Sequence, residues 1–220
     1  MTVYCKTLNA RDYRIFHEWK HVEYIERIIG MPDGHSFHPY RAWEYGLVLN
    51  ALRSHGVVSV LDVGGGGSVF APAAAVLDLQ VTEVDPDDYG SWVKHQAATF
   101  GKPIAYERCD FMSYEPMQRF DAVACLSVLE HVADDAAFFC RLAAMVKPNG
   151  LLAITVDFWP DGARHNPHPG QLRCYNEAML MDLVALVSDE FEPVGPYDYE
   201  HVEAYVNDYT FASLVLKKSS

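Results

Sequence analysis

The chain has 220 residues, 50% of them apolar and 21% charged, which is enough for one sizeable core and sets the scale at one domain with room for a small cap. Its formal net charge of −13 repels polyanions. No cluster of Lys or Arg offsets that field beyond Lys217-Lys218, so nucleic acid is not an expected partner. Cys5, Cys109, Cys125, Cys140 and Cys174 form no C-x-x-C pair and read as reduced thiols of a cytoplasmic protein. The first residues carry no apolar secretion segment, and no apolar run reaches the ~20 residues that span a membrane, so no membrane association is expected.

Residues 13–29 set Ile15, Phe16, Trp19, Val22, Ile25, Ile28 and Ile29 on one helical stripe, which Gly30, Pro32 and Gly34 end. A second helix is expected over 40–54, with Trp43, Leu47 and Leu52 inward. Tyr40, Arg41 and Trp43 open it, and its aromatic rings read equally as a cover for a bound ligand or as core. Both helices precede the first long strand pattern, so residues 1–55 are expected to form an N-terminal helical cap on a domain over 56–220. From residue 57 the pattern alternates. Strands are expected at 57–63, 79–84, 103–108, 121–127 and 150–156, and helices at 69–77, 88–100, 134–146 and 176–188. That alternation gives an α/β fold with a doubly wound, mostly parallel sheet. The end of the chain differs. Phe191 to Tyr199 and Tyr209 to Lys217 read as two strands with no helix between them, an antiparallel hairpin or an inserted edge strand. Residues 158–175 form a long connection rich in Pro, Gly and His, and connections of that length are commonly functional.

The stretch Val60-Leu-Asp-Val-Gly-Gly-Gly-Gly-Ser68 carries the most chemistry. An apolar strand runs into four residues without Cβ and then into a helix, a turn that lets a ligand approach the backbone closely. The next strand ends in Asp85, about 20 residues further on, where an acid accepts the two hydroxyls of a ribose. An adenosine-containing cofactor is the reading. A nicotinamide dinucleotide wants a third glycine for close helix packing, and Val69 stands there instead.

Four segments, in order and at matching spacing, resemble the class I S-adenosylmethionine (SAM)-dependent methyltransferases: VLDVGGGGS (60–68), VTEVDPD (81–87), ERCDF (107–111), and FDAVACLSVLEHV (120–132) followed by LAAMVKPNGLLAIT (142–155). The resemblance covers residues 57–157 closely and the C-terminal strand pair loosely. It implies a seven-stranded sheet whose last strand is antiparallel, with the ligand at the carboxyl ends of the strands. It also implies methyl transfer from SAM to a small-molecule acceptor, through oxygen or nitrogen. Carried over residue by residue, Asp62, Gly64, Gly65 and Gly66 face the methionine half and ribose of SAM, and Asp85 and Pro86 hold the ribose. Cys109, Asp110 and Phe111 surround the adenine, Asp110 on its amino group and Phe111 flanking the ring. Leu126 and Ser127 close the cofactor site at the fourth strand of the family pattern. Two positions depart from that pattern: Glu83 and Asn149 stand where many relatives have glycine.

Several residues carry two readings. Asp62 is a partner for the SAM amine or a cap for the glycine turn. His131 is a general base for the acceptor, since imidazole titrates near neutrality, or it packs beside the cofactor. No metal is expected. The alternative is a metal-assisted O-methyltransferase, because ubiquinone-pathway relatives carry Glu-x-x-Glu-His where this chain has Ser127, Glu130 and His131, with His165 or His168 of the long connection completing the set. Arg164 and Arg173 would pair with an anionic acceptor group or with surface acids. A methyltransferase-like scaffold without catalysis is the alternative from another class. Oligomeric state is not readable from the sequence.

Overall fold

The computed structural model describes residues 2–9, 12, 17–29, 41–162, 170–200 and 209–220. The elements are strand β1 (Cys5–Thr7), helices α1 (Glu18–Ile29) and α2 (Arg41–Ser54), then β2 (Ser59–Val63), α3 (Phe70–Val76), β3 (Gln80–Asp85), α4 (Gly90–Phe100), β4 (Ile104–Arg108), β5 (Phe120–Leu126), α5 (Asp135–Ala144), β6 (Val146–Phe158), α6 (Glu177–Ala185), β7 (Phe191–Pro193), β8 (Tyr197–Asp198) and β9 (Thr210–Lys218). Every expected strand and helix from residue 57 onward is present within a few residues, apart from the break described below. Residues 13–16, 30 and 40 of the expected cap lie outside the described residues.

The sheet runs β4-β3-β2-β5-β6-β9. β2 pairs in parallel with both β3 and β5, and β5 with β6. Sequence order therefore reverses at β2, and a crevice opens beyond the carboxyl ends of β2 and β5. β9 is antiparallel to β6 over eight register pairs from Leu151↔Lys217 to Phe158↔Thr210. One apolar core lies between the sheet and the helices α1, α2 and α3, around Trp43, Leu47, Phe70 and Phe211. The other lies on the opposite face, around Leu61, Phe139, Ile154 and Leu180.

The outer edge of β9 departs from the seven-strand expectation. The stretch 191–199 is broken into β7, which pairs Phe191 with Lys218, and β8, which pairs instead with β1. Gly195 makes the break: its φ is +91°, and a Cβ there would stand 2.8 Å from the Thr2 carbonyl oxygen. β1 takes the vacated half of the edge, Lys6 opposite Ser213 and Thr7 opposite Ala212. The sheet thus has nine strands among the described residues. The chain's start is tied down by Leu8 N–H to Phe211 O (2.8 Å), by Tyr4 to Asn50 (2.6 Å) and by a buried Lys6–Asp12 pair (2.8 Å) that Trp43 Nε1 also engages at 2.9 Å.

α2 is buried nearly all round, including Ala42, Trp43, Glu44, Tyr45, Leu47, Val48, Leu49 and Leu52, because α1 covers one side and the sheet the other. It is a core helix that delivers polar side chains to the crevice. Asn149, at the register shift between Val146 and Leu151 of β6, takes a φ of +63°, a conformation Asn tolerates. None of the five cysteines is in a disulfide. No helix among the described residues is long and apolar enough to cross a membrane.

Candidate active site

The glycine turn sits at the tip of β2, anchored by Gly64 N–H to Val84 O (2.8 Å). Gly64, Gly66 and Gly67 have φ of +72°, +55° and +69°, which side chains rarely adopt. Around Gly66 the space is open, since a Cβ would meet nothing closer than 3.7 Å. Beneath the turn stand three acids. Asp62 and Glu83 are register partners on β2 and β3, and Asp85 ends β3. Asp85 accepts Gly66 N–H at Oδ2 and Asp87 N–H at Oδ1, both at 2.9 Å, which leaves each oxygen a lone pair for a ligand hydroxyl. Asp62 Oδ2 and Glu83 Oε2 are buried with no hydrogen-bond partner among the described residues. Burial, then the neighbouring Glu83 and Asp85, push the Asp62 carboxyl well above its ordinary range. Burial raises Glu83 to about 7, against the pull of the Gly67 N–H. Asp85 is raised by burial and partly restored by its two N–H partners. Glu83, which replaces the usual glycine, thus adds a second buried carboxyl to the floor of the turn.

Beyond β4, Asp110 caps a single 3-10 turn, Phe111–Ser113, by accepting Met112 N–H at 2.9 Å, and its side chain is exposed. The Phe111 ring is buried in the core against Phe138, with ring centres 4.9 Å apart, rather than lying open beside the crevice. Cys109 is half-buried and donates its N–H to Asp85 O (3.1 Å), while Pro86 is exposed.

The other wall of the crevice lies at the ends of β5 and β6. Ser127, one residue past Leu126 of β5, has a φ of +54°, a conformation that costs a non-glycine residue ~1 kcal/mol or more and that clusters at functional sites. Its Oγ donates to Glu44 Oε1 of α2 at 2.6 Å, and Glu44 Oε2 pairs with Arg41 at 2.9 Å. A carboxylate is thereby returned to the position where Ser127 replaces the first acid of the Glu-x-x-Glu-His pattern. Glu130, on the 3-10 turn after β5, is 1% exposed. Its Oε1 accepts Asp157 N–H at 3.4 Å, and its Oε2 has no partner among the described residues. Burial and the Asp157 charge raise Glu130 to about 8, eased by its own backbone N–H and by Arg41. Asp157 is 7% exposed at the end of β6 and accepts from Gln171 Nε2 at 2.9 Å. Thr155, two residues earlier on the same face, has a buried Oγ1 without a partner among the described residues. Tyr45, hydrogen-bonded to Ser68, stands between the two walls, within electrostatic range of both Glu44 and Asp62.

The structure brings together Asp62, the glycines, Asp85 and Ser127 around one crevice. His131 is exposed on the turn that buries Glu130. Arg173 pairs with Asp135 and donates to Ala133 O, the surface alternative. Tyr40, Arg164, His165 and His168 lie outside the described residues, and among those described no group of three His, Cys, Asp or Glu is placed to hold a metal. Sequence reading missed Glu44 and Asp157. Asp157 carried a usable signal, an acid ending the apolar run LLAITVDF, the same signal that marks Asp85. Glu44 carried only the weaker sign of an acid flanked by Trp43 and Tyr45 in a helix.

A doubly wound sheet with a glycine turn and acid-tipped strands at its switch point defines a nucleotide-binding α/β protein. Residues 61–154 match the family model described as a methyltransferase domain. Among characterised relatives, the ubiquinone biosynthesis O-methyltransferase of Bradyrhizobium diazoefficiens is 34% identical over 108 residues, 49% of this chain and 43% of the relative. The chain therefore matches less than half the length of that relative. Two solved structures share the fold. The N-methyltransferase NodS of Bradyrhizobium japonicum WM9 with S-adenosyl-L-homocysteine (SAH) has a TM-score of 0.65 at 13% identity, covering 91% of this chain and 99% of that one. The 1,6-didemethyltoxoflavin-N1-methyltransferase of Burkholderia thailandensis with its substrate and SAH has a TM-score of 0.65 at 19% identity, covering 97% and 94%. Residues 61–154 are therefore similar to a methyltransferase domain, and the chain shares the fold of these methyltransferase structures.

Proposed function

We propose that this protein transfers a methyl group from SAM to an oxygen or nitrogen of a small-molecule acceptor. The observation that carries the reading is the open glycine turn at Gly66, with Asp85 beside it and the partnerless Asp62 oxygen beneath it. These residues fit SAM. The open turn admits the sugar and methionine half, Asp85 takes the ribose hydroxyls alongside Pro86, and Asp62 answers the amine. Cys109, Asp110 and Phe111 form the adenine end, with the backbone turn rather than the Phe111 ring offered to the base. Leu126 and Ser127 close the site toward the acceptor. SAM, when bound, supplies a methyl group on a sulfonium with a thioether as leaving group. The chain's own part is to hold the acceptor in line and to exclude water. His131, exposed on the turn after β5, is the base we assign to the acceptor proton. The charge of −13 disfavours nucleic-acid substrates, and five thiols with no disulfide among them suit a cytoplasmic protein. Replacing Asp85 with Ala tests the cofactor site: SAH affinity measured by calorimetry should fall at least ~10-fold, as for loss of a charged hydrogen-bond acceptor. Unchanged affinity would sink the ribose assignment.

A further inference from the structure

The acceptor wall is acidic. Glu44, Glu130 and Asp157 converge from α2, the turn after β5 and the end of β6, and Arg41 is the guanidinium set among them. Arg41 and the Ser127 hydroxyl already satisfy Glu44, and Gln171 meets Asp157. Glu130 is different. At 1% exposure it keeps Oε2 without a partner, and the buried Thr155 hydroxyl on the neighbouring strand has none either among the described residues. A buried carboxyl left short of donors is costly to ionise, so the site suits a group that brings donors and positive charge and thereby lets it ionise. A neutral hydroxyl brings one donor and no charge, whereas an ammonium brings up to three donors and a positive charge.

We infer, on the basis of the methyl-transfer reading above, that the acceptor is a cationic amine whose nitrogen is held by Glu130, with Glu44 and Asp157 completing an anionic floor.

The reaction balances on that nitrogen. The bound ammonium gives one proton to His131 on the same turn and so frees a lone pair. The nitrogen–carbon bond forms as the methyl–sulfur bond breaks, and the thioether leaves with the electron pair. The product is the N-methylated ammonium, still opposite Glu130. The overall negative field of the protein draws such a cation in.

The test begins with SAH binding to the intact protein. To the SAH-saturated protein we would then titrate cyclohexylamine, benzylamine and glucosamine, each against its hydroxyl counterpart cyclohexanol, benzyl alcohol and glucose. At least one amine should bind about 10-fold or more tightly than its counterpart. The preference should vanish in Glu130→Gln and weaken in Asp157→Asn, while both variants keep SAH affinity. If SAH binds but no amine outcompetes its alcohol, or if the preference survives Glu130→Gln, the amine inference is overturned and the methyl-transfer reading stands. Absence of SAH binding overturns that reading and this inference with it.

Discussion

Replacing Glu130 with Gln removes a buried charge without changing side-chain size, and the Asp157 N–H at 3.4 Å keeps an oxygen to donate to. In the folded protein the Glu130 carboxyl is raised from 4.5 to about 8, burial being the first cause and Asp157 the second. Between those values the folded protein holds a proton that the unfolded chain has released. Stability therefore falls as pH rises through that window, and the full penalty is present above about pH 8. At 1.36 kcal/mol per pH unit the gap is worth at most ~5 kcal/mol. The Glu130→Gln variant escapes this penalty. Without ligand, the two proteins should be equally stable near pH 4.5, and the variant should lead increasingly up to pH 9. At ~2–4 °C per kcal/mol for a chain of this size, the lead at pH 9 should reach ~10 °C or more in melting temperature. Thermal and urea unfolding at pH 5, 7 and 9 measure it. Parallel pH profiles, or a variant less stable at pH 9, would show that the Glu130 charge is compensated and would refute the reasoning.

Two further outcomes are expected. In Gly65→Ala the new Cβ would stand 2.7 Å from Asp62 Oδ2 and 2.9 Å from the Glu83 carboxyl. Either the turn or the two buried carboxyl side chains beneath it must shift, and SAH affinity should drop at least ~10-fold in calorimetry; retained affinity would mean that the packing of the turn on these acids does not shape the cofactor site. In His131→Ala, turnover should fall far more than SAH affinity, and equal turnover would remove its role as base.

Much of the fold was legible because it is written locally. Alternating strands and helices announce themselves in short apolar runs, and the glycine turn with Asp85 is a contiguous signal. The edge of the sheet was not legible. β1 is three residues long and pairs with residues 212–213, so nothing in its neighbourhood marks it as a strand. Gly195 splits an apparently continuous strand through its positive φ and the close approach of Thr2, a contact almost 200 residues away in sequence. The site divides in the same way. Asp62, Asp85 and Asp110 belong to local motifs, and the sequence names them. The acidic floor does not: Glu44 meets Ser127 across 83 positions, and Glu130 meets Asp157 across 27. Phe111 shows the limit of motif transfer, because its ring packs on Phe138 in the core while only its backbone turn follows the motif.

The central claim is that the crevice at the glycine turn binds SAM. Calorimetric titration of the purified protein with SAM and SAH, with NAD as control, tests it most directly. Binding of both at micromolar levels, with none of NAD, is the predicted result. Binding of NAD instead, or of none of the three, would contradict it.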